Sequence, residues 1–135
     1  MTTVVNVRVK YLRPEYTNLK EWVEDSNNVY IGRRGIVFID GARYPPEDSI
    51  WANPFRVSEG MPIDLVLLEY KRYIKKKLRR GEITQAQLLA LRGKNLGCWC
   101  VNCPISNNNE PLRCHGQVLL KLIEQNSVNK KVPMQ

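Results

Sequence analysis

Hydrophobic and polar positions alternate at the start of the chain. In "TVVNVRVKYL", Val5, Val7 and Val9 oppose Val4, Asn6 and Arg8, and this period of two predicts a strand. The next stretch, "RPEYTNLKEWVEDSNN", reads as a helix. Pro14 and Glu15 suit its first turn, and Leu19, Trp22 and Val23 share one face. "NVYIGRRG" is a short apolar strand running into glycines. "IVFIDGARYPPEDSIWANPF" predicts a hairpin or long loop, with Asp40-Gly41 as its turn and Pro45-Pro46 stopping regular structure. "MPIDLVLLEYKRYIKKKLRRG" carries the clearest helical stripe, formed by Ile63, Val66, Leu67, Tyr70, Tyr73, Ile74 and Leu78. Pro62 stands at its start and Gly81 at its end. "TQAQLLALRG" predicts another helix, with Thr84 and Gln87 in a capping box and Gly93 closing it. "KNLGCWC" reads as a buried strand. "CHGQVLLKLIEQ" is a helix with Val118, Leu119, Leu122 and Ile123 inward. Strands alternating with helices predict an α/β layer fold with a short, largely parallel sheet. The expected boundaries are one domain over residues 1–125 and a flexible basic tail over 126–135.

Composition narrows the functional classes. The 135 residues are 43% hydrophobic, enough for a core, and no apolar run is long enough to span a membrane. "MTTVVNVRVKYL" lacks the basic start and apolar block of a secretory signal, so an intracellular protein is expected. The net charge of +8 points to an anionic partner, a nucleotide or nucleic acid. In a reducing compartment, four cysteines are more often thiols or metal ligands than disulfides.

Those cysteines and the single histidine gather between residues 98 and 115. On a strand, Cys98 and Cys100 point to the same face. Cys114 and His115 open the following helix, so strand end and helix start can bring four ligands together. Thiolate and imidazole are a usual zinc set, which makes Cys98, Cys100, Cys114 and His115 candidate zinc ligands, with Cys103 as an alternative. A second reading is metal-free. A thiol at a helix N-terminus has its pKa lowered by the helix dipole and free N–H groups, so Cys114 becomes a candidate nucleophile, His115 its proton carrier, and Gly116 a place for close ligand approach. In a third reading Cys98 and Cys100 are ordinary core residues and His115 caps the helix.

Two further stretches carry candidate chemistry. In "VYIGRRG…SIWANPFRV", Arg33 offers a fork for phosphate, Trp51 a face for a base and Asn53 an amide that can read a base edge. Trp51 and Phe55 read equally well as core. From Lys71 to Arg80 seven of ten residues are basic. Cations suit a helix C-terminus in any case, but Lys75, Lys76, Arg79 and Arg80 are candidate phosphate contacts on RNA or DNA.

Taken in order, "VYIGR", "WANPF", "LRGKNLGCWC" and "CHGQVLLKLI" resemble domain-of-unknown-function family 4326 from Val29 to Ile123. The family pattern maps onto Gly32, Arg33, Trp51, Asn53, Pro54, Phe55, Cys98, Trp99, Cys100, Cys114, His115 and Gly116. It departs where Ala52 replaces the usual glycine and where "VNCPISNNNEPLR" lengthens the loop between the cysteine motifs. The family's occurrence in phages, bacteria and large DNA viruses implies a viral-type protein of the host cytoplasm or nucleus. The strand-then-"CH"-helix portion also resembles domain-of-unknown-function family 488. That likeness implies a small three-layer Rossmann-like α/β sheet, largely parallel and flanked by helices, and nucleotide or nucleoside handling.

The leading functional expectation is an enzyme acting on a nucleotide or nucleic acid, a hydrolase or transferase, with a Cys/His site at a helix N-terminus and zinc as its cofactor. The alternatives are a zinc-stabilised nucleic-acid-binding module without turnover and a viral accessory protein that binds a host macromolecule.

Overall fold

A computed structural model describes residues 2–100, 104–106 and 111–131, the last five as backbone alone. The protein is a mixed α/β structure. Its sheet has three parallel strands in the order β1-β5-β2, where β1 is Thr3–Asn6, β2 is Asn28–Tyr30 and β5 is Asn95–Cys98. The central strand β5 pairs Gly97 with Val5 on one side and Tyr30 on the other. Ile105 extends the outer edge of β1 through two backbone hydrogen bonds with Val4.

The predicted first strand is shorter than its alternation implies. It stops at Asn6, whose side-chain carbonyl accepts from the Arg8 N–H at 2.8 Å. That local bond turns the chain out of the sheet, and Val9–Leu12 form a single helical turn, α1. The next helix, α2 (Leu19–Glu24), starts later than Pro14 suggests. Asn18 is its N-cap and accepts from the Glu21 N–H at 3.1 Å, while Glu21 reaches back to the Thr17 N–H at 2.9 Å. A side chain that satisfies a free helical N–H marks the helix start better than proline does here.

Downstream, the periodicity is realised closely. β3 (Val37–Ile39) and β4 (Ala42–Tyr44) form an antiparallel hairpin around Asp40 and Gly41, both at positive φ. α3 (Ile63–Arg80) ends on Gly81 at φ 75°. α4 (Gln85–Leu89) has the Thr84–Gln87 capping box. α5 runs from His115 to Lys131, so residues 126–131 continue the helix beyond the expected domain end, and 132–135 lie outside the described residues.

Alternation along the strands sends side chains to two apolar clusters. Val4, Ile31, Leu96 and Cys98 join residues of α3, α4 and α5, including Leu67, Tyr70, Leu88 and Leu119. Val7 and Tyr30 join Leu12, Leu19 and Trp22 of α1 and α2. Gly97 is the narrow point, since a Cβ there would lie 2.5 Å from Trp22 and 2.6 Å from Val7. Among the described residues no helix is long and apolar enough to cross a membrane.

Candidate functional site

Three parallel strands end at one margin of the sheet, and the first turn of α5 packs against that margin. Cys98 ends β5, Cys100 lies two residues on, and Cys114 directly precedes α5. Their sulfurs all lie within 4.8 Å of one another, and Cys114 Sγ is 2.9 Å from Cys98 Sγ. Cys98 and Cys114 are buried, whereas Cys100 is exposed. Three clustered cysteines are therefore arranged so that they could hold a metal ion. The donor set fits zinc: sulfurs about 2.3 Å from a tetrahedral ion stand about 3.8 Å apart, a spacing this cluster reaches once Cys98 and Cys114 spread.

The three thiols differ in exposure and in the direction their pKa values move. Hydrogen bonds from Cys114 and then Cys98 hold the Cys100 thiol down to about 3. Its hydrogen bond to Cys100 pushes Cys98 up to about 12, and Cys114 rises well above the ordinary thiol range, again first through Cys100. Sulfurs this close cannot all ionise. Cys100, the exposed thiol, is the one held low, while Cys114, the candidate nucleophile of the sequence, is buried and pushed up.

His115 stands outside the sulfur group. Its Nε2 lies 2.6 Å from the Ile31 carbonyl oxygen, which can only accept, so Nε2 carries the proton. Nδ1 is then the bare nitrogen, 3.8 Å from Cys114 Sγ. Burial lowers the His115 pKa, and the ring sits edge-on to Tyr70 at 5.1 Å between centroids. Nδ1 is near Cys114 alone in this group, for the ligand atoms that lie within 4.8 Å of one another are the sulfurs of Cys98, Cys100 and Cys114. Cys103, the alternative ligand, lies outside the described residues.

The cluster lines a cavity of about 450 Å³ together with Arg33, Asn53, Phe55, Arg56, Trp99 and Arg113. Apolar Ile36, Val57 and Ile63 complete much of its wall, and among the described residues no carboxylate lines it. Arg33 spans the margin: Nε donates to the Asn53 carbonyl at 2.8 Å and Nη2 to that of Phe55 at 3.0 Å. Asn53 in turn accepts the Phe55 N–H on Oδ1 at 2.9 Å. These two residues shape the 53–55 loop as well as facing the cavity. Trp51 is elsewhere, 3% exposed in the core, its carbonyl accepting from Tyr70 Oη at 2.7 Å. Gly116 also faces inward. The close approach it permits is made by Val4 and Ile31, whose methyls would lie 2.9–3.0 Å from a Cβ. The basic residues Lys75, Lys76, Arg79 and Arg80 are exposed on α3, outside the cavity lining.

Three contributors escape the sequence reading. Arg56 and Arg113 are isolated basic residues with no motif of their own. Gln117 is buried, and its Oε1 accepts the Arg113 and Cys114 N–H groups at 2.7 and 3.0 Å while its Nε2 donates to the Pro111 carbonyl at 3.0 Å. Its place three residues after Cys114 is the signal that a capping residue would have given.

The family model described as a domain of unknown function (DUF4326) matches residues 15–125. The chain belongs to this family. The match extends further toward the N-terminus than the motif set from Val29, taking in α2 and the turn before it. In this DUF4326 chain the Gly-Arg, Trp-Ala-Asn-Pro-Phe, Cys-Trp-Cys and Cys-His-Gly motifs meet at one margin of the sheet, although Trp51 and Gly116 serve it from the packed side. No curated protein and no solved structure gives a significant match.

Proposed function

We infer that the protein is a zinc-dependent enzyme acting on a nucleotide-class substrate, with Cys98, Cys100 and Cys114 as the metal ligands. The observation that carries this reading is the opening of a three-sulfur cluster into a cavity that, among the described residues, arginines line and carboxylates do not. Three protein ligands among the described residues leave a fourth position for water or substrate, the arrangement of catalytic rather than structural zinc, and zinc held this way would supply Lewis acidity there. Arg33, Arg56 and Arg113 favour a phosphate-bearing ligand. His115, neutral and fixed by Ile31, seats Cys114 and with it the ligand set.

The test joins metal content to turnover. Protein purified without added metal is expected to carry about one zinc per chain, and Cys98→Ser and Cys114→Ser to lose it. Zinc-loaded protein is then incubated with nucleoside mono-, di- and triphosphates and the products separated. Absence of zinc in freshly prepared protein ends the metal reading. Bound zinc with tight nucleotide retention and no product makes the protein a binding module.

A second reading rests on a separate observation. On the outer face of α3, Lys75, Lys76 and Arg79 have no ion-pair partner among the described residues, whereas Arg80 lies 3.8 Å from Glu82. Unpaired cations in a row suit a nucleic-acid backbone. Affinity for a single-stranded oligonucleotide is then expected to fall steeply with salt, and a Lys75→Ala/Lys76→Ala/Arg79→Ala variant to show a shallower slope.

A further inference from the structure

We propose that Trp99 is a stacking platform for the base of a nucleoside phosphate, with Arg56 and Arg113 gripping the phosphate. The inference rests on the nucleotide reading above and names the residues that would select the ligand.

Trp99 differs from the other two tryptophans. Trp22 and Trp51 are 4% and 3% exposed inside the two cores, while Trp99 is half-buried and lines the cavity between two of the clustered cysteines. Its indole N–H donates to Tyr30 Oη at 2.9 Å, and Tyr30 Oη donates to the Arg33 carbonyl at 2.7 Å. The two rings meet edge-on, 6.5 Å apart at 77°. The indole is thus held in one orientation with its only polar atom satisfied. What it offers the cavity is apolar π surface, which suits a flat ring and carries no sequence preference among bases. Phe55, fixed edge-on against Tyr73 at 5.9 Å, and the aliphatic groups of Val57 and Ile63 continue that apolar lining.

The charges point the same way. Arg33 spends Nε and Nη2 on backbone carbonyls. Among the described residues the guanidiniums of Arg56 and Arg113 have neither a hydrogen bond nor an ion pair, and no acidic group lines the cavity to offset them. A ligand that satisfies both halves of this cavity has a flat ring at one end and a dianionic group at the other.

Zinc-loaded wild-type protein is titrated with adenosine 5′-monophosphate, ribose 5-phosphate and pyrophosphate, read by calorimetry and by acrylamide quenching of tryptophan emission. The nucleotide is expected to bind about ten- to a hundredfold tighter than ribose 5-phosphate, the worth of one stacked base. It should also shield the one quenchable tryptophan, which ribose 5-phosphate leaves open. Trp99→Leu should remove that preference and Trp99→Phe keep most of it, while Arg56→Ala/Arg113→Ala should weaken all three ligands together. If ribose 5-phosphate and pyrophosphate bind but the nucleotide gains neither affinity nor shielding, the platform is overturned and the anion site stands. If none of the three binds, the anion site falls and the platform with it. The shielding measurement uses wild-type protein alone, so a variant that fails to fold does not blunt the test.

Discussion

At the scale of single residues, the buried imidazole has a definite consequence for stability. Burial lowers the folded-state pKa of His115, so the fold prefers the neutral ring. A group whose folded pKa is depressed contributes its full stability above the unfolded value, about 6.5 for histidine, and loses it as pH falls through the folded value. With metal removed by chelation, the urea midpoint is expected to drop between pH 8 and pH 5.5, and His115→Gln to flatten that slope. An unchanged slope would show that the ring's charge state does not matter to folding. The Cys100 thiol, held low in the fold, adds a loss over the same range to both proteins, so the ring is read from the difference between wild type and His115→Gln, and Asp25 does not confuse that difference. Hydrogen bonds from the Asn27 N–H and from Tyr16 hold its carboxyl below the ordinary range, so its contribution is lost only at more acidic pH. Glycine supplies a second residue-scale test. Gly97→Ala would drive a Cβ into Trp22 and Val7 within the sheet, at an expected cost of about 1–3 kcal/mol. Gly116→Ala meets methyls at slightly longer range and is expected to cost less, a ranking that paired denaturation curves would check. The sequence marks Gly116 as a place of close approach without saying what approaches. At Gly116 the expected ligand is replaced by Val4 and Ile31, because the first turn of α5 packs its small residue against the sheet.

Individual elements were legible where a periodic stripe and a chemical stop coincide. α3 ends on Gly81 in the left-handed region, and α4 begins on its capping box, because both signals are local hydrogen bonding that neighbours do not override. β1 and α2 were misjudged in extent. A valine run kept its alternation past Asn6, yet the Asn6 side chain took the Arg8 N–H and ended the strand. Pro14 looked like a helix start, yet Asn18 had the acceptor that a free N–H needs. The start of α5 depends on Gln117 in the same way. Gln117→Ala leaves the buried Cys114 N–H and the neighbouring Arg113 N–H without their acceptor, with an expected loss of about 1–3 kcal/mol. Gln117→Glu keeps both acceptor bonds but buries a carboxylate with one oxygen toward the Pro111 carbonyl, a cost the start of α5 partly offsets, so it should fall between wild type and Gln117→Ala. If the two variants are equally stable, the Gln117 carbonyl is not what anchors the cysteine.

For the whole molecule, the cysteine cluster ties the end of β5 to the start of α5. A metal bound there to the folded state alone adds stability by mass action, about 2.7 kcal/mol when free metal is a hundred times its dissociation constant. Chelation is therefore expected to lower the melting temperature by on the order of 10 °C, and Cys98→Ser to abolish the difference between chelated and metal-loaded samples. Equal melting curves would show that the sulfurs stabilise the fold without an ion. The alternation of strands and helices, the parallel sheet and the gathering of sulfur near one strand end were written in the order of residues, since hydrophobic period and helix-stop chemistry act over a few positions at a time. Which sulfur faces solvent, that His115 spends its proton on Ile31, that Trp51 is core while Trp99 lines the cavity, and that Arg56 and Arg113 reach the same wall were decided only by tertiary structure. Those outcomes turn on which residues distant in the chain come within a few ångströms, and a pattern read locally holds no information about such distances.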